Sequence, residues 1–343
     1  MAISLDSPSS SSSKPQILLA DDITLAKDAL ASFSSSYDVL PLTSSSRDEF
    51  LSDLKGKYAG IKGIYRHFNR ISNKVVGRYD EEVLKALPEG VKIASNGAGY
   101  DFVDVQAATE RRIQVANVPT VVDAPTADTA LFLLLGAIRQ FGRAQANLYS
   151  GKWHEGYGLS NDPAGKVLGI VGMGGIGRAF ATRARALGMT VVYHNRNQLT
   201  PDLEDGATYL STLDELLRTA DVVSLNLPLN AKTKHTMGAE QFKAMKKSAI
   251  LVNTARGGVV DEQALVEALE SGEIAGCGLD VYENEPKVHE GLLKSEKAFL
   301  LPHVGTLTVE TQREMEATCL RNLSNAMETG KLAFTVPEQK GVF

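Results

Sequence analysis

The segment KVLGIVGMGGIGRAFATRARALGMTVVYHNR, Lys166 to Arg196, decides the fold of this chain. Val167 to Val171 is a short, mostly apolar run suited to a strand buried on both faces. Gly172, Gly174 and Gly177 then spell G-x-G-x-x-G. Ile176 to Leu187 reads as a helix, and Val191 to His194 as a second strand. In this setting the first glycine permits a tight turn and the second lets backbone approach a pyrophosphate. The third lets helix and strand pack closely. The helix start aims unpaired N–H groups and a positive dipole end at the phosphates. A glycine turn by itself is a weak signal. Between a strand and a helix it predicts a dinucleotide-binding unit.

The end of the second strand indicates which dinucleotide. Units that bind NAD place Asp or Glu about 20 residues beyond the glycines, on the ribose 2′-hydroxyl. Here that place holds Asn195, followed by Arg196. A carboxylate repels a 2′-phosphate, whereas Asn tolerates one and Arg can fork two hydrogen bonds onto it. NADPH is the expected cofactor, with NADH the alternative if Arg196 is only a solvated loop residue.

A chain of 343 residues exceeds one compact core and suggests two domains. An apolar fraction of 43% with 22% charged residues is that of an ordinary globular protein. The net charge of −5 proposes neither a nucleic-acid nor an anionic-membrane partner. No apolar run reaches the roughly 18 residues of a membrane span, and the stretch Ala130 to Ile138 reads as a buried helix segment. Residues 1–15, with the tract SPSSSSSKP, are expected to be a disordered tail. They lack the apolar centre of a signal peptide, and Asp6 with no arginine argues against a mitochondrial leader. Lys340 to Phe343 is not a peroxisomal address. Cys277 and Cys319 have no metal-like spacing, so no metal site is expected and both are read as reduced thiols of a cytoplasmic protein.

Strands are expected at Gln16–Ala20, Ile61–Tyr65, Val91–Ser95 and Ile113–Asn117, with helices such as Asp80–Leu87 and Asp101–Arg111 among them. Alternating strands and helices imply a parallel sheet covered on both faces. Pro119 and Pro125 mark a crossing between domains. One long helix, Thr126 to Ser150, is expected to open the second domain and offer an apolar face to a subunit interface. Further strands are expected at Val222–Leu225, Ile250–Asn253, Gly276–Asp280 and Phe299–Leu301. The last helix, Thr308–Thr329, then returns to the first domain. A dinucleotide domain of residues 119–305 is thus inserted into a substrate domain of residues 16–118 and 306–343. Ligands are expected in the crevice between them, beyond the carboxyl ends of the strands.

Three polar residues follow the glycine turn, each just after an expected strand: Arg256, Glu285 and His303. Together they suit the reduction of a 2-oxo acid. Hydride addition to a ketone builds negative charge on its oxygen, which needs a proton donor. His303 can supply the proton near neutral pH. A carboxylate at Glu285 would orient the ring and favour the imidazolium. Arg256 can grip the substrate carboxylate in a fork and polarise the adjacent carbonyl.

Six segments then carry a specific likeness: SNGAGYDFVD from Ser95, TADTALFLLL from Thr126, GIVGMGGIG from Gly169, NTARGGVVDE from Asn253, GLDVYENEP from Gly278 and LPHVG from Leu301. In this order they resemble the D-isomer-specific 2-hydroxyacid dehydrogenase family, over nearly everything from Lys14 onward. The resemblance implies an α/β fold of two doubly wound Rossmann-like domains, the nucleotide-binding one inserted into a flavodoxin-like substrate domain. It also implies a homodimer. Arg256 becomes the substrate-orienting arginine, Glu285 the partner carboxylate and His303 the acid/base. The loop Asn96, Gly97, Ala98 and Gly99 would offer N–H groups to the substrate carboxylate. Gly175 and Ile176 would line the pyrophosphate, Leu227, Pro228, Thr254 and Asp280 would border the adenosine and nicotinamide ends, and Thr129 would also touch the cofactor.

Within the family, YHNRN from Tyr193 and GIYRHF from Gly63 resemble fungal glyoxylate and hydroxypyruvate reductases that prefer NADPH. Arg66 would add a second cation near the substrate, the alternative being a plain loop charge. After His303 the chain reads Val304-Gly305-Thr306-Leu307, where many members have a second small residue. That departure leaves the substrate side-chain pocket open. The alternatives are therefore a bulkier 2-oxo acid such as phenylglyoxylate, as in fungal mandelate dehydrogenases, or a dinucleotide-sensing corepressor with little turnover.

Overall fold

In a computed structural model the chain is described over residues 14–67 and 71–343. Apart from Lys14 and Pro15, the tail expected over residues 1–15 lies outside the described residues. The chain divides into two compact units. One comprises residues up to Val118 together with Arg313–Phe343, and the other Pro119–Gln312.

The first unit is built on five parallel strands: β1 (Gln16–Leu19), β2 (Asp38–Pro41), β3 (Ile61–His67), β4 (Lys92–Asn96) and β5 (Gln114–Ala116). Their order, β2-β1-β3-β4-β5, is that of flavodoxin-like sheets. Leu18, Ile64, Ile93 and Val115 bury one sheet face against Phe50, Leu54, Val83 and Leu84 of the covering helices. Asp80 and Asp104 cap two of the short helices by accepting from the Val83 and Ala107 N–H groups. The C-terminal helix, Val309–Thr329, returns the chain to this unit. There the Glu316 carboxylate accepts from the Thr24, Leu25 and Ala26 N–H groups just beyond β1. Burial opposes its ionisation, yet those donors hold it below the usual carboxylate range.

The second unit carries seven parallel strands: β6 (Val167–Val171), β7 (Thr190–His194), β8 (Thr208–Tyr209), β9 (Val222–Leu225), β10 (Ile250–Asn253), β11 (Gly276–Leu279) and β12 (Ala298–Leu300). The order β12-β11-β10-β9-β6-β7-β8 reverses direction between β6 and β9. In doubly wound sheets that reversal is where ligands bind, at the carboxyl ends of the strands. Val223, Leu225 and Leu251 bury one face of the sheet, and Leu168, Ile170 and Val252 the other.

Two edge strands and one helix differ from expectation. Strand β2 ends at Pro41 with exposed terminal residues, and β8 has two residues, so neither shows the buried run that marks a central strand. The single long helix is in fact two, Asp123–Ile138 and Phe141–Tyr149, separated by Gln140 at φ 51°. The break follows from capture of carbonyls by the chain beyond. The Arg139 carbonyl accepts from the Tyr157 hydroxyl and the Ile138 carbonyl from the Asn161 N–H, so neither continues the helix ladder.

Candidate active site

The glycine turn joins β6 to the helix Gly175–Ala186. Gly172 sits at φ 97°, and a Cβ there would lie 2.8 Å from the Asn226 carbonyl oxygen. Both facts require glycine. A Cβ on Gly177 would lie 2.6 Å from the Gly172 carbonyl oxygen, so helix and turn pack without room for a side chain. Gly174 is different: a Cβ there would meet nothing within 4 Å. Protein packing does not demand its glycine, whereas a ligand approaching the backbone would. Gly175 faces the Asp123 carboxylate, which burial pushes above the usual range although Arg178 opposes this. Nothing in the sequence announced that neighbour.

Asn195 Oδ1 accepts from the Met173 N–H at 2.8 Å, which fixes the glycine turn from the end of β7. Arg196 beside it is exposed and forms no ion pair among the described residues. Leu227 packs against Gly172, and Pro228 accepts from the Thr233 hydroxyl. The buried Thr254 Oγ1 and Asn226 Oδ1, at the ends of β10 and β9, have no partner among the described residues. Such atoms suit a ligand that brings its own polar groups. Thr129 donates to the Pro125 carbonyl inside its own helix. With an open glycine, a helix N-terminus and orphaned polar atoms along one strand edge, these residues fit a dinucleotide.

Arg256, Glu285 and His303 converge within this second unit. Arg256 sits in a turn shaped by the buried Asn253, whose Nδ2 donates to the Arg256 carbonyl and whose Oδ1 accepts from the Ala255 N–H. The following Gly257 packs so closely on the Tyr282–Glu283 peptide that a Cβ would lie 1.8 Å from the Tyr282 carbonyl carbon. That close approach draws the Arg256 turn against the loop carrying Glu285. Glu285 Oε1 accepts from the Tyr282 N–H at 2.9 Å, and Oε2 lies 2.8 Å from His303 Nδ1. Burial would raise the Glu285 carboxyl. The His303 hydrogen bond and charge, the Tyr282 N–H and the Arg256 charge outweigh it and hold the group below the usual carboxylate range.

Asp280, expected to border the cofactor, is 1% exposed and turned toward His303's own loop. Its two carboxylate oxygens accept from the Val304 and Gly305 N–H groups at 2.8 and 2.9 Å. They thereby hold His303 in the left-handed region at φ 56°, where side chains other than glycine are uncommon. Burial pushes the Asp280 carboxyl above its usual range despite those donors and the nearby His303.

In the first unit, the loop after β4 carries bonds of its own. The Gly97 N–H donates to the Ser95 carbonyl. Asn96 is buried with its Nδ2 on the Tyr65 hydroxyl at 2.8 Å. The Ala98 carbonyl accepts from Asn117 Nδ2. Among the described residues nothing accepts from the Ala98 or Gly99 N–H groups. Arg66 is not a loop charge: it lies on β3 and is fully buried.

The family model for the D-isomer specific 2-hydroxyacid dehydrogenase NAD binding domain matches residues 131–305. The 4-methyl-2-oxopentanoate reductase A of Aspergillus oryzae is 48% identical over 331 residues, 96% of this chain and 100% of that protein. The crystal structure of a glyoxylate reductase from Paecilomyes thermophila is similar at a TM-score of 0.91 and 50% identity, covering 95% of this chain and 99% of that one. A third relative is the NADPH-dependent glyoxylate/hydroxypyruvate reductase of Sinorhizobium meliloti, solved with NADP and malonate. It matches at a TM-score of 0.82 and 33% identity, over 95% of this chain and 98% of that one.

Proposed function

Because the chain belongs to the D-isomer-specific 2-hydroxyacid dehydrogenase family, we propose that it is an NADPH-dependent reductase of small 2-oxo acids, glyoxylate and hydroxypyruvate foremost. That it is an oxidoreductase follows from the family. The observation that carries the rest is the His303–Glu285 bond, packed against the Arg256 turn in the unit that bears the glycine turn. When bound, the nicotinamide supplies the hydride. Gly174 and the helix after it would hold the pyrophosphate, Arg196 the 2′-phosphate and Thr254 the nicotinamide end.

The protein's own residues do the remainder. Arg256 binds and orients the substrate carboxylate and polarises the adjacent carbonyl. Ala98 and Gly99 are further proposed N–H donors to the substrate. With Nδ1 on Glu285, His303 carries its transferable proton on Nε2 and gives it to the developing alkoxide. Asp280 and Glu285 act as positioning residues, one through the loop backbone and one through the ring. Reduced, buried Cys277 and Cys319 suit a cytoplasmic enzyme. Exposed Phe141, Leu148, Tyr149 and Trp153 supply an apolar surface suited to a homodimer. No helix among the described residues is long and apolar enough to cross a membrane.

Glu285 gives the reading a pH signature. Its carboxyl lies lower in the folded chain than in a free one, so its contribution is present above the ordinary carboxylate range and lost as pH falls through the lowered value. At neutral pH Glu285 is therefore a carboxylate facing His303 Nδ1. Glu285→Gln is expected to lower kcat/KM for reduction by about 10-fold or more, as loss of a charge-assisted hydrogen bond should, and to abolish the part of its fall on the acid side that follows protonation of this carboxyl. An unchanged rate and acid limb would remove Glu285 from orienting His303.

Arg196→Ala is expected to raise KM for NADPH by about 10-fold or more, as loss of a charge-assisted pair should, with little change for NADH. Equal effects on both cofactors return Arg196 to the solvated loop. The Aspergillus relative's name favours a second substrate reading, a branched or otherwise bulkier 2-oxo acid. The ratios of kcat/KM for glyoxylate, 4-methyl-2-oxopentanoate and phenylglyoxylate decide between the two. Preference for either larger acid overturns the small-acid assignment and leaves the catalytic set intact.

A further inference from the structure

Among the described residues Arg66 is one of the largest fully buried side chains, and its Nε, Nη1 and Nη2 have no hydrogen-bond partner there. Strand register places it opposite Ser95. Paired residues of neighbouring strands point to the same sheet face, and the buried Ser95 hydroxyl also lacks a partner. A third such group is the Tyr79 hydroxyl, whose ring centroid lies 5.0 Å from the guanidinium carbon. The Phe102 ring stacks on the guanidinium at 3.5 Å. Asn96, one residue along β4, belongs to the other face, where it bonds Tyr65.

Burial pulls the Arg66 guanidinium down to about 10 and pushes the Tyr79 phenol up to about 12, so at neutral pH one stays charged and the other stays a donor. The Asp21 and Asp101 carboxylates act on the guanidinium through space and favour its charge, but neither bonds it; Asp21 is committed to the His67 and Ser72 N–H groups. Stacking on aromatic rings returns only part of the cost of burying a cation. A water molecule could satisfy a hydrogen bond here but would bring no counter-charge into contact with the guanidinium. All the unpartnered groups can donate, and one carries a full positive charge.

We propose that Arg66, Ser95 and Tyr79 form a buried nest in the first unit for one small monovalent anion, of halide or carboxylate type. The nest lies toward the carboxyl ends of β3 and β4, and Ser95 directly precedes the Asn96–Gly99 loop. Two sources offer that chemistry: a free anion held within the unit, or the carboxylate of the 2-oxo acid. The second source rests on the proposed function and the first does not.

The test uses the full chain and Arg66→Met, which replaces the cation by an apolar stem of similar reach. Thermal midpoints are followed in sodium chloride and sodium formate, with ionic strength held by sodium gluconate, whose anion is too large for the nest. An anion that binds only the folded state raises the midpoint with concentration. The midpoint of the native chain should therefore rise with chloride or formate, and that of Arg66→Met should stay flat. Formate inhibition competitive with the 2-oxo acid, together with a KM raised about 10- to 100-fold in the variant at similar kcat, assigns the nest to the substrate carboxylate. A rising midpoint without competition assigns it to a free anion. Flat midpoints in both proteins with an unchanged KM overturn the proposal. Should Arg66→Met fail to fold, Arg66→Lys keeps the charge without the fork and is read by the same midpoint slope. Because the midpoints need no turnover, failure of the reductase reading would be seen separately, as absence of 2-oxo acid reduction.

Discussion

His303→Ala is expected to lower kcat for 2-oxo acid reduction by about 10²–10⁴, the usual loss on removing a positioned general acid, while NADPH binding is nearly unchanged. The clean separation follows from how the residue is held. Its backbone conformation is set by Asp280, which grips the Val304 and Gly305 N–H groups without help from the imidazole. Removing the ring therefore takes away the proton donor and leaves the loop anchored. The groups assigned to the pyrophosphate and 2′-phosphate, from Gly172 to Arg196, lie at the ends of β6 and β7, away from His303 in sequence. What Glu285 loses is one partner; it keeps the Tyr282 N–H. Retention of most of kcat, measured at saturating substrate with a native thermal midpoint, would take His303 out of the proton transfer.

The second large effect is at Arg256. Arg256→Lys is expected to lower kcat/KM for the 2-oxo acid by about 10²-fold, in line with loss of a charged hydrogen bond of about 1.5–3 kcal/mol, and to leave KM for NADPH near its starting value. The charge survives this substitution, so the loss isolates geometry. A guanidinium presents a planar fork matched to a carboxylate, while an ammonium is a compact, strongly hydrated point charge. The turn itself should persist, because Asn253 holds the Arg256 carbonyl and the Ala255 N–H rather than the side chain. An unchanged kcat/KM would mean that the substrate carboxylate is bound elsewhere.

Much of the fold was legible in the chain. Strands β9 and β10 are mostly apolar runs of four residues bounded by loops, and their limits were read at the right residues. The glycine turn was legible because backbone contact at Gly172 and Gly177 leaves no room for side chains, which writes glycine into the sequence. The break at Gln140 was not, since its cause is a hydroxyl at Tyr157 and an N–H at Asn161, far along the chain. No proline or glycine marks the gap itself.

The candidate site divides in the same way. Arg256, Glu285 and His303 each follow a strand and carry chemistry in their type, so they could be named from sequence. Asn253 and Asp280 could not be given their positioning roles, because those roles depend on where buried oxygens point. The burial of Arg66 escaped for a related reason. Strand β3 runs two residues beyond its expected end, to His67, through a polar stretch with no alternation to betray burial.

The most direct test of the central claim is the initial rate of NADPH oxidation at saturating glyoxylate and hydroxypyruvate, measured beside NADH under the same conditions. Fast turnover of both acids with a clear preference for NADPH is the expected result. No turnover of these or the larger 2-oxo acids, by a protein that still binds NADPH, would contradict the reductase assignment itself.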